Sequence, residues 1–386
     1  MTRLAPNGYA AAFLLALLAT AGLFYVNILA ALVTGLSDGL GISPARAGQI
    51  GSANVYGAAF GALVAVFLVK RIAWRPAAVC ALAVLLSLDF ASAFVADDRI
   101  LLVLRALHGL AGGLLVGVGF SVIARTANPD RVYGMLLVVQ FGLGGLGLWL
   151  LPPLVPQHGT WVLFAALMAF SAVTLALLPL IPHYPQSVPA AGGMIAATRR
   201  PLAAALAGIF LFQAGNMGLA AYVIELGRSA GLAQSFIGPT LAVANWLGAC
   251  GSILVIVLGK RFGRARPILG GIALALGGTA AFHWAGAEMM FIAANIATAI
   301  LWAFVIPYML ALASAFDGVG QSAALGGFLS KLGLATGPLL ASHLLESGGF
   351  DLIINISVAL LLLSGLAAAW PAIAVDQADN LPDFKA

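Results

Sequence analysis

Twelve apolar runs, each of about 20 residues or more, divide this 386-residue sequence, and a run of that length is what a helix needs to cross a bilayer. Their bounds are roughly 9–34, 48–69, 76–96, 99–124, 132–155, 161–181, 201–226, 237–258, 267–286, 289–313, 321–345 and 350–373. A spanning segment must satisfy its own backbone hydrogen bonds, so these runs predict an all-α polytopic membrane protein. Composition agrees: 8% of the residues are charged, where soluble domains carry about 25%. The first run, Tyr9 to about Thr34, exceeds the apolar region of a signal peptide and lacks a small-residue cleavage site, so it reads as the first span. Cys80 and Cys250 fall inside separate runs at no pair spacing. Neither a disulfide framework nor a metal site is expected, and nothing points to a cofactor.

An even number of spans puts both termini on one side. Loops on that side carry thirteen basic residues: Arg3, Lys70, Arg71, Arg75, Arg125, Arg131, Arg199, Arg200, Lys260, Arg261, Arg264, Arg266 and Lys385. The opposite loops carry three, Arg46, Arg99 and Arg228. The positive-inside bias therefore predicts cytoplasmic N- and C-termini. The same bias accounts for the net charge of +5, so nucleic acid is not an expected partner. The longest non-apolar segment between spans, with Pro185, Pro189 and Gly192–Gly193, separates six runs from six. The expected organisation is a six-helix half over 1–181, a cytoplasmic linker over 182–200, a second six-helix half over 201–375 and a cytoplasmic tail over 376–386. An internal repeat supports it. Asn54, Gly57, Lys70, Arg71 and Pro76 recur as Asn245, Gly248, Lys260, Arg261 and Pro267 at offsets of 190 or 191, and Gln140–Leu143 aligns with Lys331–Leu334 at 191. A constant offset over several spans implies two halves in parallel orientation.

Charges inside spans are expensive and mark functional positions. Arg105 and His108 interrupt the run from Arg99 to Arg125, and Asp89 lies on the preceding span at a similar depth below the same surface. An Asp89–Arg105 ion pair is expected, either as a fixed packing bridge or as a switch broken during function. His108, with a reference pKa of about 6.5, is a proton carrier, a polar contact or a neutral histidine satisfied by a neighbouring helix. Lys331 stands about ten residues into its span, too deep to snorkel easily. It would contact an anion or take part in coupling, or else pair with Asp317 or another acid. Glu225, near the outer end of its span, reads as an anchor or gate and is a further candidate for proton coupling beside Asp89, Arg105, His108 and Lys331.

The basic loops Lys70-Arg71-Ile72-Ala73-Trp74-Arg75-Pro76 and Lys260-Arg261-Phe262-Gly263-Arg264-Ala265-Arg266-Pro267 fall between spans two and three and between eight and nine. Leu101, Arg105, Gly109 and Gly112 sit on the fourth span, and Gly337-Pro338 on the eleventh. With these features the chain resembles the major facilitator superfamily over essentially its whole length, most closely its twelve-span proton-antiporter group of drug and metabolite exporters. Lys70 and Lys260 stand where that family has its loop aspartate, and His108 replaces the common glutamine of the fourth-span pattern. The resemblance implies that the first, fourth, seventh and tenth spans line a central cavity. The polar and aromatic residues of these and neighbouring spans give candidate solute contacts: Tyr25, Asn27, Arg105, His108, Gln140, Gln213, Asn216, Asn245, Trp246, Asn295, Trp302, Tyr308 and Lys331.

The expected function is secondary transport by alternating access, with no enzymatic chemistry. No GxxxxGK[ST] phosphate loop is present, so gradients must supply the energy. The expected cargo is a small amphipathic organic solute of anionic character, exchanged with protons, by a monomer in a bacterial inner membrane and in contact with its lipid. The alternatives are efflux of lipophilic cations or neutral drugs, an uncoupled facilitator, and a non-transporting receptor.

Overall fold

The computed structural model describes residues 4–6, 8–69, 71–123, 125–126, 129–184, 199–259, 261–316 and 321–379. Lys70, Lys260, Asp317, most of the linker and the end of the tail lie outside the described residues. So does any test of a Lys331–Asp317 pair.

Helices α4 (Pro44–Leu68), α5 (Trp74–Ser92), α6 (Asp98–Ile123), α7 (Pro129–His158) and α8 (Trp161–Leu177) form the second to sixth spans. After the linker come α11 (Gln234–Leu258), α12 (Ala265–Ala280) and α13 (Glu288–Ser314), and then a helical run, α14 (Gln321–Asp379), which turns at Gly349 with φ 68° and so supplies two spans. Among the described residues there are ten helices long and apolar enough to cross a membrane, the last of them double, and two shorter apolar ones.

The first span is not the single helix expected over 9–34. It is built from α1 (Tyr9–Ala21), a single turn α2 (Phe24–Asn27) and α3 (Leu29–Leu40). Gly22 ends α1 against the Gly112 carbonyl of α6, so closely that a Cβ at Gly22 would overlap it. The seventh span breaks too, at Ala221–Tyr222, between α9 (Arg199–Ala220) and α10 (Val223–Ser229). Interrupted helices survive at membrane depth only where protein covers the freed backbone, and Tyr25, Ile28, Ala221 and Tyr222 are all buried.

Small residues bring the helices together. Gly57 and Gly61 of α4 lie on the Ala106 and Leu110 carbonyls of α6, while Gly109 and Gly113 of α6 lie on the Asn54 and Ala58 carbonyls of α4. Gly248 and Gly251 of α11 abut Ala299 and Ile300 of α13 in the same way, so the repeat reproduces a contact as well as a sequence pattern.

Three buried cores result. One joins both halves at the face away from the termini, with Phe24, Ile50, Phe164, Tyr222, Ile237, Phe291 and Ile353 among its members. The other two lie toward the terminus-bearing face and do not mix. One holds Leu15, Leu82, Leu115 and Leu136, the other Ile209, Ile272, Met309 and Leu361. The tail begins anchored: the Asp376 carboxylate accepts the backbone N–H groups of Arg264 (2.7 Å) and Ala265 (2.9 Å), capping α12.

Candidate functional site

Between the halves lies a cavity of about 200 Å³. Of the expected contact residues, Asn27, Gln140, Asn216, Asn245, Asn295 and Trp302 line it. Five of the six are carboxamides, contributed by both halves. Asn216 and Asn295 each spend one amide N–H on the carbonyl one turn back, of Phe212 and Phe291, both at 2.8 Å. Their amide oxygens remain as acceptors for a solute donor. Asn27 offers the reverse, a buried amide nitrogen with no partner among the described residues. Phe141, Phe282, Thr279 and Thr298 complete the polar and aromatic wall and were not expected. Phe141 could have been found, since it adjoins Gln140 in the repeated segment; the threonines carry no sequence signal beyond their spans. The Phe141 and Trp302 rings meet across the two halves, edge to face at 6.2 Å.

The remaining expected contacts stand back from the cavity. Gln213 is buried behind Trp302: its amide oxygen accepts the indole N–H at 2.7 Å and its nitrogen donates to Ser330 Oγ at 2.7 Å. Trp246 donates its indole N–H to the Gly142 carbonyl at 3.2 Å, tying α11 to α7. Tyr308 reaches the Gly259 carbonyl at 2.9 Å. Lys331 lies one turn from the cavity-lining Leu334, on the same face of α14, and one turn from Phe328, whose ring meets Phe60 at 6.5 Å. It is half-buried and has no hydrogen-bond or ion-pair partner among the described residues.

Arg105 and His108 do not line the cavity. They belong to a buried cluster within the first half. Arg105 Nη1 donates to Asp89 Oδ1 at 2.6 Å, and Nη2 to the Leu88 carbonyl at 2.9 Å and to Ser92 Oγ. The guanidinium lies 5.0 Å from the Phe164 ring centroid. His108 Nε2 meets Asp89 Oδ1 at 3.3 Å, and its Nδ1 lies 2.8 Å from the Asn54 amide nitrogen. Tyr25 packs its ring 5.8 Å from that of His108, and its hydroxyl is buried without a partner among the described residues. The expected depth of the Asp89–Arg105 pair is matched by its contact, but the helix faces on which the pair sits point into the half. Glu225 sits at the far face, 3.3 Å from Arg228, which also meets Asp38 of the other half at 2.9 Å.

These features have counterparts in known proteins. The chain matches the family model of the Major Facilitator Superfamily over residues 12–330. A gallate transporter from Pseudomonas putida is 31% identical over 166 residues, which are 41% of this chain and 35% of that protein, so the match spans about a third of the relative's length. Among solved structures, a mutant of the nucleoside transporter NupG aligns with a TM-score of 0.72 at 12% identity, covering 95% of this chain and 98% of the other. The human organic anion transporter MFSD10 aligns with a TM-score of 0.64 at 16% identity, covering 93% and 98%. At such identities the two structures speak for the fold alone. With its helical architecture and its central cavity between two halves, the chain belongs to the Major Facilitator Superfamily: it is a multi-pass membrane transporter and not an enzyme.

Proposed function

We propose that this transporter carries a small amphipathic organic anion, of the class of hydroxylated aromatic carboxylates, by alternating access with proton coupling. The observation that carries this reading is Lys331, a cation one turn from the cavity wall with no counter-charge among the described residues. A charge in a span is tolerated when it faces a partner or a wet cavity, and a solute carboxylate supplies the partner. The carboxamide oxygens of Asn216 and Asn295 accept solute hydroxyls, and Phe141 and Trp302 present ring edges and faces to an aromatic body. The partial likeness to a gallate transporter supports the same class. No carboxylate lines the cavity among the described residues, which disfavours lipophilic cations.

The halves share a core at one face and part into separate cores at the other. Under the positive-inside bias the parted face is cytoplasmic, the termini lie in the cytoplasm, and the membrane is a bacterial inner membrane. Asp89, Arg105 and His108 form the proton-coupling centre of this reading, Glu225 belongs to the gate at the far face, and the working unit is a monomer.

The test is uptake into vesicles reconstituted with the full chain, across 4-hydroxybenzoate, succinate, glucose and a cationic dye, with and without a pH gradient. Saturable movement of 4-hydroxybenzoate that responds to the gradient is expected. Movement of the dye with no carboxylate transport would sink the reading.

A further inference from the structure

The cluster around Asp89 fixes where its protons are. A single atom, the amide nitrogen of Asn54, touches both the Arg105 carbonyl at 3.1 Å and His108 Nδ1 at 2.8 Å. A carbonyl oxygen only accepts, so the amide cannot be reversed without setting two oxygens against each other. Its second N–H therefore meets His108 Nδ1, which must present a lone pair. His108 is thus held as the neutral imidazole with its proton on Nε2, and Nε2 lies 3.3 Å from Asp89 Oδ1. Asp89 Oδ1 also accepts from Arg105, whereas Asp89 Oδ2 is buried with no partner among the described residues.

One more proton has two places to go. On His108 Nδ1 it would confront the Asn54 N–H at 2.8 Å, with Asn54 pinned by the Arg105 carbonyl. On Asp89 Oδ2 it breaks no hydrogen bond, and its cost is the counter-charge of Arg105. We infer that the coupling proton binds Asp89 at Oδ2, and that His108, held in one tautomer by Asn54, is a positioning residue and not the proton carrier. This rests on the proton coupling proposed above and deepens it. The proton leaves a hydronium ion, breaking one O–H bond there and forming one on Oδ2; on release across the membrane the Oδ2–H bond breaks and an O–H bond to water re-forms.

The groups facing Asp89 are few. Arg105 and His108 come from α6, and Tyr25 comes from α2. From α8, Phe164 is laid over Arg105. A proton on Oδ2 neutralises Asp89 and strands the Arg105 guanidinium as an unpaired buried charge, so the closed, paired cluster is the unloaded state and loading demands that it open. Tyr25 supplies the link to the solute. It shares the single turn α2 with Val26 and Asn27, which line the cavity, so one short segment touches both sites.

The test uses the full chain in vesicles of phosphatidylethanolamine and phosphatidylglycerol, with 4-hydroxybenzoate as solute and a trapped pH dye. Acidification should produce the infrared carbonyl band of a protonated carboxylic acid, absent from Asp89→Asn. Over the same range the His108 nitrogen-15 signals, assigned by their loss in His108→Gln, should stay those of the neutral Nε2–H form. His108→Gln should slow transport yet still move protons with solute; Asp89→Asn should lose proton movement while retaining solute exchange. Conversion of His108 to imidazolium over that range overturns the inference, as does loss of proton movement in His108→Gln with exchange intact. Wild-type exchange without proton movement overturns it too, leaving solute transport standing. If no carboxylate moves at all, the transport reading fails, and the infrared and nitrogen-15 signals still decide the proton site. If Asp89→Asn does not fold, the nitrogen-15 signals, assigned through His108→Gln, still decide it.

Discussion

Two side chains carry most of the proposed selectivity and most of the buried electrostatic risk. Lys331 has no partner among the described residues, so Lys331→Gln should leave folding intact. It removes a charged contact worth about 1.5–3 kcal/mol, which raises the half-saturation concentration for 4-hydroxybenzoate roughly ten- to hundredfold. Initial uptake rates at graded concentrations read this out, and an unchanged concentration dependence refutes the contact. Asp89 is the opposite case. Asp89→Ala leaves the fully buried Arg105 uncompensated and should destabilise the protein by about 3–5 kcal/mol, measured as the thermal unfolding midpoint in detergent. The sequence made this pair legible because depth follows from residue count along each helix. It did not show that Arg105 and His108 turn away from the cavity, since counting fixes depth but the direction around the helix axis depends on which neighbours pack there. Asn27, Asn216, Asn245 and Asn295 fell on the cavity, whereas Gln213 is satisfied behind it by Trp302 and Ser330, a difference of helix face that the sequence does not show.

The spans themselves were readable from hydropathy, and their interruptions were not. Nothing in the run from Tyr9 to Thr34 contains a proline, and the break at Gly22 comes from the approach of α6, a tertiary effect. Spans four and two are held by reciprocal glycine contacts, so the element boundary between them has little slack. Gly109→Ala would drive a Cβ into the Asn54 carbonyl. The overpacking should cost about 1–3 kcal/mol of stability and disturb the His108 tautomer through Asn54. Gly270→Ala, in helix α12 with open space around the new Cβ, should be neutral or stabilising by about 0.4–1 kcal/mol. Parallel melting curves of the two variants check both statements, and equal destabilisation would show that the glycine contacts do not matter.

Across the whole molecule, the shared core at one face and the separate cores at the other define a hinge geometry that sequence periodicity does not encode, because it depends on which pairs of helices touch across the halves. The far face is fastened by Arg228, which holds both oxygens of Asp38 at 3.1 and 2.9 Å. This pair is partly exposed, so Arg228→Ala should shift the balance toward opening at that face by only about 0.2–1 kcal/mol. Labelling of Asn27→Cys by an impermeant maleimide applied from that face should rise a few-fold, and the swapped pair Asp38→Arg with Arg228→Asp should restore it. Apolar packing supplies the rest of the seal, including Tyr222, whose hydroxyl fills the space where Gly48 of the other half would carry a Cβ. A closure keyed to the width of one methyl group is spoiled by adding one, so Gly48→Ala should turn this face into a worn latch through which solute slips unmetered.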